Sequence, residues 1–284
     1  MTDQPEHLDL RSPDIAEDKR QELLRLFQAT ESLYYDETLV MRAALHEIDS
    51  ALVELFVERA YGQKLTDLPF DYETFLRNIN LLRPDNGEFY PTVACVLFFG
   101  RHVQHYLPHA HVVAARIPGS DLSQAPSDAN QLNGTLLDQV EDTARFLRIH
   151  LRTPHRIEGF EEERFPEIPE EALREVVVNA LAHRDYTVAA PVRIFVYDDR
   201  VEVRTPGGLP NTVTVESMKL GASHVLRNPA VYTLFSRWGL VTGIGSGVYR
   251  AIRSIEAATG QEPILIQQGN EFVFSIPRKA FTSS

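Results

Sequence analysis

The sequence holds one cysteine, Cys95, and one tryptophan, Trp238, in 284 residues. A single thiol closes no internal disulfide and excludes a cysteine-rich zinc site, so the chain reads as a protein of a reducing cytoplasm. Long apolar runs are missing too. The run at 93–99 falls far short of the roughly 20 residues a membrane helix needs, so no membrane partner is expected. The opening MTDQPEHLDL lacks the basic and apolar regions of a secretory signal. Positive charge is the scarcer sign: 28 Lys and Arg stand against 40 Asp and Glu, a net charge of −12. Proteins that live on phosphate-backbone contacts are usually basic, so direct DNA binding by this chain is not expected. What is present is ordinary for a globular protein. With 43% hydrophobic and 24% charged residues, the chain is not wholly disordered, and its length suits two domains.

Periodicity and turn residues divide the chain in three. Residues 1–34 carry a short amphipathic helix over 18–29, with Leu23, Leu24, Leu26 and Phe27 along it. Residues 35–160 read as a smaller α+β domain. Asp49 caps a helix over 51–60 that Gly62 stops. A second helix covers 71–82, and the Asp-Asn-Gly turn at 85–87 leads into a strand over 92–99. Cys95 lies in that strand as a small core residue. A further strand spans 111–117, the polar stretch 118–133 is a loop, and 136–151 returns to helix. Three prolines and an acidic cluster within 154–169 mark a boundary. Residues 161–284 then read as a helix over 170–183, a strand over 192–197, a turn and a strand over 201–204. A loop, a short helix after Pro229 and a glycine-rich turn at 243–247 follow. A helix over 248–259 and strands over 264–267 and 271–276 complete the order. It predicts an α+β sandwich, a mixed sheet with helices on one face.

The segment EALREVVVNALAHRDY, 171–186, is the most informative. Leu173, Val176, Val177, Ala180 and Leu181 recur at helical spacing as a core stripe. Glu175 and Asn179 stack one turn apart on the opposite side, with Ala182 keeping that side open. Asparagine is a poor residue inside a helix, because its amide competes for the backbone. One reading is a nucleotide site. An amide oxygen can join the oxygen shell of Mg²⁺, and a carboxylate one turn away can orient or deprotonate a water. The other is a solvated polar face, with Glu175 paired to Arg174 or Arg184. Downstream, Thr205-Pro206-Gly207-Gly208 follows a strand, and Gly243-Ile244-Gly245-Ser246-Gly247 precedes a helix. Glycines there let backbone amides approach a ligand, and a helix start adds unpaired donors. No Gly-Lys-Ser/Thr P-loop is present, and the Rossmann pattern is not met.

Taken in order, these motifs resemble the Bergerat, or GHKL, ATP-binding fold. ALREVVVNALAHRDY, DDRVEVRTPGGLP, GASHVLRNPAV and GLVTGIGSGVYRAI look like the ATP-binding domain of the helicase-RecG-related transcriptional-regulator family. PTVACVLFFGR and NGTLLDQVEDTARFL resemble that family's middle region, so the likeness spans about 35–278. The resemblance implies ATP and Mg²⁺ as cofactors. It makes Glu175 the general base and Asn179 the Mg²⁺ ligand. Gly207 and Gly208 match the first glycine box beside the adenine. Gly243, Gly245 and Gly247 match the second, whose amides hold phosphates. Residues 212–238 become a lid over ATP, with Arg227 and Asn228 as phosphate or cap residues. Asn228 before Pro229 is also an ordinary helix N-cap. His183 ends the helix where it can face phosphates or a neighbouring subunit.

Where many relatives place an aspartate for the adenine amino group, Arg204 or Thr205 stands here. Asp198 and Asp199 read as turn formers. Such regulators begin with a Schlafen–AlbA type DNA-binding domain, of which 8–30 resembles the trailing edge, and often end in a winged helix. The expected protein is a Mg-ATP-binding slow ATPase, a nucleotide-dependent switch in transcription or DNA-related regulation. It would act as a homodimer or higher oligomer, or through a DNA-binding protein partner. The alternative is a Bergerat-fold interaction module without hydrolysis. His102, His105, His109 and His111 have zinc-like spacing but straddle a proline loop. No Gly-x-Ser-x-Gly nucleophile elbow is present.

Overall fold

The computed structural model describes residues 34–153, 155–158, 161–164, 166–210, 213–221, 225–241 and 246–279. The helix expected over 18–29 lies outside them. Helix α1 (Ser50–Tyr61) starts where Asp49 accepts from Ala51 N and ends at Gly62 in the left-handed region, φ 68°. Helix α2 (Tyr72–Asn78) is capped by Asp71, which lies before it rather than within it, and stops short of residue 82. Asn80 turns to positive φ there, and the chain enters a hairpin of β1 (Leu82–Asp85) and β2 (Glu88–Pro91). Asn86 and Gly87, both at positive φ, form its turn.

The strand expected over 92–99 is a helix, α3 (Val93–Phe99). Thr92 Oγ1 accepts from Cys95 N at 3.2 Å and caps it. All seven residues are buried, so no polar face marks the helical period. Cys95 is a core residue, in a helix rather than a strand. A short helix α4 (Val103–Tyr106) leads to β3 (Val112–Arg116). The loop expected over 118–133 contains a strand, β4 (Asp128–Leu132), paired antiparallel to β3. Helix α5 (Leu136–His150) opens with a Thr135–Asp138 capping box. A hairpin of β5 (His155–Glu158) and β6 (Glu161–Arg164) follows.

Helix α6 spans Glu170–His183, and β7 (Val192–Val196) and β8 (Arg200–Pro206) form the next hairpin. Then come α7 (Val215–Lys219), α8 (Pro229–Trp238), α9 (Gly247–Thr259), β9 (Ile264–Gln268) and β10 (Glu271–Pro277). One six-stranded sheet orders the strands β4-β3-β7-β8-β10-β9. Only the β3–β7 pair is parallel, so the sheet is mixed, as expected. This sheet runs across residue 160, joining β3 and β4 to the strands that follow. The main core is continuous from Val40 to Ile276. Ala115, Ile117, Phe195 and Tyr197 form a separate small cluster.

Helix α8 anchors the cavity-lining segment to the rest of the protein. Phe235 meets Phe98 of α3 edge-on at 4.9 Å, and Trp238 stacks on Phe56 of α1 at 6.1 Å. Its start is held from 195 residues away: Val231 N donates to Asp36 Oδ2 at 2.9 Å. Burial pushes the Asp36 carboxyl up to about 7. No described helix is long and apolar enough to cross a membrane.

Candidate nucleotide-binding site

Helix α6 packs against α9 and β8 and buries most of its surface, including Val178 and Ala182. Ala182 therefore does not keep a face open as the pattern suggests. Glu175, Asn179 and His183, spaced four apart, stay half-buried and line one cavity. Asn179 Nδ2 donates to the backbone oxygen of Glu175 at 2.7 Å and to its Oε1 at 2.9 Å. Such a bond back one turn explains how a helix interior holds an asparagine. The Asn179 Oδ1 has no protein partner among the described residues. Arg184 does not pair with Glu175. Its buried guanidinium donates to the carbonyls of His109, Val188 and Ala190 at 2.8, 3.3 and 2.7 Å.

Gly247 opens α9 directly against this group. A Cβ there would collide with Glu175 Oε1 and stand 3.1 Å from Oε2. So α9 begins where the Glu175 carboxylate lies, and only glycine leaves that carboxylate its place. Gly243 and Gly245 lie outside the described residues.

At the other end, the turn after β8 is pinned from two sides. Asp185 N donates to Pro206 O, and Gly207 N donates to Asn270 O, at 2.9 and 2.8 Å. Gly207 has φ +99°, and a Cβ on it would strike the Arg227 guanidinium and approach Asp185 Cβ to 2.6 Å. A Cβ on Gly208 would come within 2.6 Å of Gln267 Nε2. Arg227 explains the first of these constraints. Its Nη1 donates to His183 O at 3.1 Å and its Nη2 to Gly208 O at 2.6 Å. Burial lowers its pKa, and the nearby Asp185 charge opposes that.

The cavity floor follows strand alternation. Thr205 and Val203 of β8 stand opposite Phe272 and Phe274 of β10, and all four line the cavity. Arg204 alternates to the other face, where it and Arg200 hold Glu202. Of the two residues at the missing aspartate's place, Thr205 is therefore the one in the cavity.

Two features escaped the sequence reading. Tyr232 of α8 lines the cavity, with its ring 6.4 Å from that of His183. Burial raises its phenol pKa, and the Glu175 charge adds to this. Asn228 stands at the N-cap position but makes no capping bond. Its buried Nδ2 donates instead to Ala182 O and Arg184 O, at 2.9 and 2.8 Å, sewing α8 to the end of α6. Its partners are 46 and 44 residues distant, so local sequence carries no sign of them. The histidines at 102–111 assemble no metal site: no cluster of three His, Cys, Asp or Glu among the described residues can hold an ion.

The site is thus a cleft between α6 and the β8–β10 floor. It has a carboxylate and amide pair at one end, and a glycine turn with a buried guanidinium at the other. Residues 189–276 match the family described as "Putative ATP-dependent DNA helicase recG C-terminal". That segment is therefore similar to a RecG-type C-terminal, ATPase-like domain. The match to this ATPase-like domain takes in Thr205, Gly207, Gly208, Arg227 and Gly247. It begins after α6, so Glu175, Asn179 and His183 precede it. The fold of the chain is similar to that of the DIP2311 protein from Corynebacterium diphtheriae. Identity is 22% and the TM-score 0.68, over 91% of this chain and 50% of that one. The chain thus spans half the length of that protein, and at this identity the likeness is one of fold. No curated protein matches the sequence.

Proposed function

We propose that the chain binds Mg-ATP in this cleft, hydrolyses it slowly, and acts as a nucleotide-dependent switch in transcription or DNA-related regulation. The observation that carries the reading is the Glu175–Asn179 pair beside Gly247. The residues fit the groups they would hold. The Asn179 amide nitrogen is spent within the helix, which leaves its oxygen, a suitable hard donor for Mg²⁺. The Cβ-free space at Gly247 brings a helix start beside Glu175, and such starts favour phosphate. The apolar floor of Val203, Phe272 and Phe274 suits a base.

Bound Mg²⁺ would supply positive charge to the phosphates. Glu175 holds and orients a water and accepts its proton at the carboxylate. Asn179 steadies that carboxylate through Nδ2. Arg227 keeps the first glycine turn against the end of α6, and Val213, Met218 and Tyr232 line the same cleft. The ligand would touch α8 through Tyr232, and Asp36 and α3 tie that helix to the preceding part of the chain. That linkage is the route by which the nucleotide state reaches a second subunit or a DNA-binding partner. The test is phosphate release by the purified protein. Measurable turnover that Glu175→Gln abolishes, with nucleotide binding kept, supports hydrolysis by this residue. Turnover unchanged in the variant removes Glu175 from the role. Thr205 at the place of a base-reading carboxylate favours one alternative, an interaction module that binds without hydrolysing. Binding with no turnover in the unmodified protein would establish it.

A further inference from the structure

The cleft has two chemically different ends. Glu175 and Gly247 mark one, and His183, Gly208 and Arg227 mark the other. Glu175 and His183 are eight residues apart on α6, about 12 Å along the axis. In the nucleotide reading above, on which this inference rests, the first end takes the phosphates, so the second receives the base. The charged side chain waiting there is a donor. Arg227 has five N–H groups and no acceptor. One from Nη1 and one from Nη2 go to the carbonyls of His183 and Gly208. The other three are uncommitted among the described residues. Among the described residues lining the cleft, the one side-chain carboxylate is Glu175, at the other end. Asp185 does not line the cleft, and its Oδ1 already accepts from Thr187 N and Oγ1 at 2.9 and 2.6 Å. Thr205 offers a hydroxyl, which donates as readily as it accepts.

Purines differ at this edge. Adenine shows an amino donor beside its N7 acceptor, whereas guanine and hypoxanthine show two acceptors, O6 and N7. A guanidinium fork pairs with O6 and N7 together and faces the adenine amino group donor to donor. We infer that Arg227 reads the base as a hydrogen-bond donor, so that the cleft takes 6-oxopurine nucleotides at least as tightly as ATP.

Calorimetric titration of the full chain with Mg²⁺ and non-hydrolysable analogues of ATP, ITP and GTP tests this. The ITP and GTP analogues should bind as tightly as the ATP analogue or more so. Arg227→Lys keeps the charge but loses the fork, and should weaken both 6-oxopurines about tenfold while affecting ATP less. An ATP analogue bound about tenfold or more tightly than both others overturns the inference. Equal weakening of all three in the variant does the same. The unmodified protein's ratio decides the matter even where the variant fails to fold. An ATP preference leaves the nucleotide reading standing. Binding of none of the three, by protein with an intact unfolding transition, overturns that reading and this inference together.

Discussion

Asn179 Nδ2 bonds both the main chain and the carboxylate of Glu175, the residue one turn before it. The pair is therefore a single unit, with the amide nitrogen spent inside the helix. The start of α9 closes on the same carboxylate. Two separate stretches of chain meet there, and the chemistry proposed depends on their meeting.

Gly247 offers a direct check on that closure. Its φ is not in the left-handed region, so alanine is sterically allowed by the backbone. The clash would be with the end of a flexible side chain, which can swing away at little cost to stability. Gly247→Ala should therefore melt within a few degrees of the unmodified protein, since 1 kcal/mol shifts a domain this size by about 2–4 °C. Phosphate release should fall at least about tenfold, the effect of misplacing a general base. A variant with full turnover would show that the Glu175–Gly247 contact is incidental.

Asn228 carries a structural prediction. Alanine there removes two buried hydrogen bonds, to Ala182 O and Arg184 O. At about 1 kcal/mol each, Asn228→Ala should lose about 2 kcal/mol, more if the carbonyls find no water. Urea unfolding monitored by Trp238 fluorescence reads it. A midpoint unchanged at constant slope would contradict the seam between α6 and α8.

Asp36 gives a pH dependence with a defined sign. Burial first, and then the Glu37 charge, raise its carboxyl from 3.8 to about 7, while the amides of Val231 and Ala230 oppose them. A folded-state pKa above the unfolded value favours folding while the group stays protonated. Its contribution is thus complete below pH 3.8 and declines as pH rises to about 7. Asp36→Asn keeps an oxygen for Val231 N and cannot ionise. Its stability relative to the unmodified protein should rise between pH 4 and 7 and then level off. Parallel stability curves for the two proteins would refute the assignment.

Much of this site is legible in the sequence, for reasons that differ by residue. Helix α6 matches its expected limits because a core stripe at helical spacing runs along it. The β8 alternation of Val201, Val203 and Thr205 against Arg200, Glu202 and Arg204 is equally plain. The sequence misleads where burial is total or absent. Residues 93–99 are apolar throughout, so no period separates helix from strand, and the Thr92 cap decides it. Residues 128–132 are polar because β4 is an edge strand, exposed along much of its length. The roles of Asn228, Tyr232 and Asp36 depend on partners far away in sequence, which no local pattern announces.

The central claim is that Asn179 completes a Mg-nucleotide site in this cleft. Calorimetric titration with a non-hydrolysable ATP analogue and Mg²⁺, run beside Asn179→Ala, tests it most directly. The account predicts saturable binding by the unmodified protein that is lost in the variant, while both show the same cooperative unfolding. Unchanged affinity in Asn179→Ala, or no binding by either protein, would contradict it.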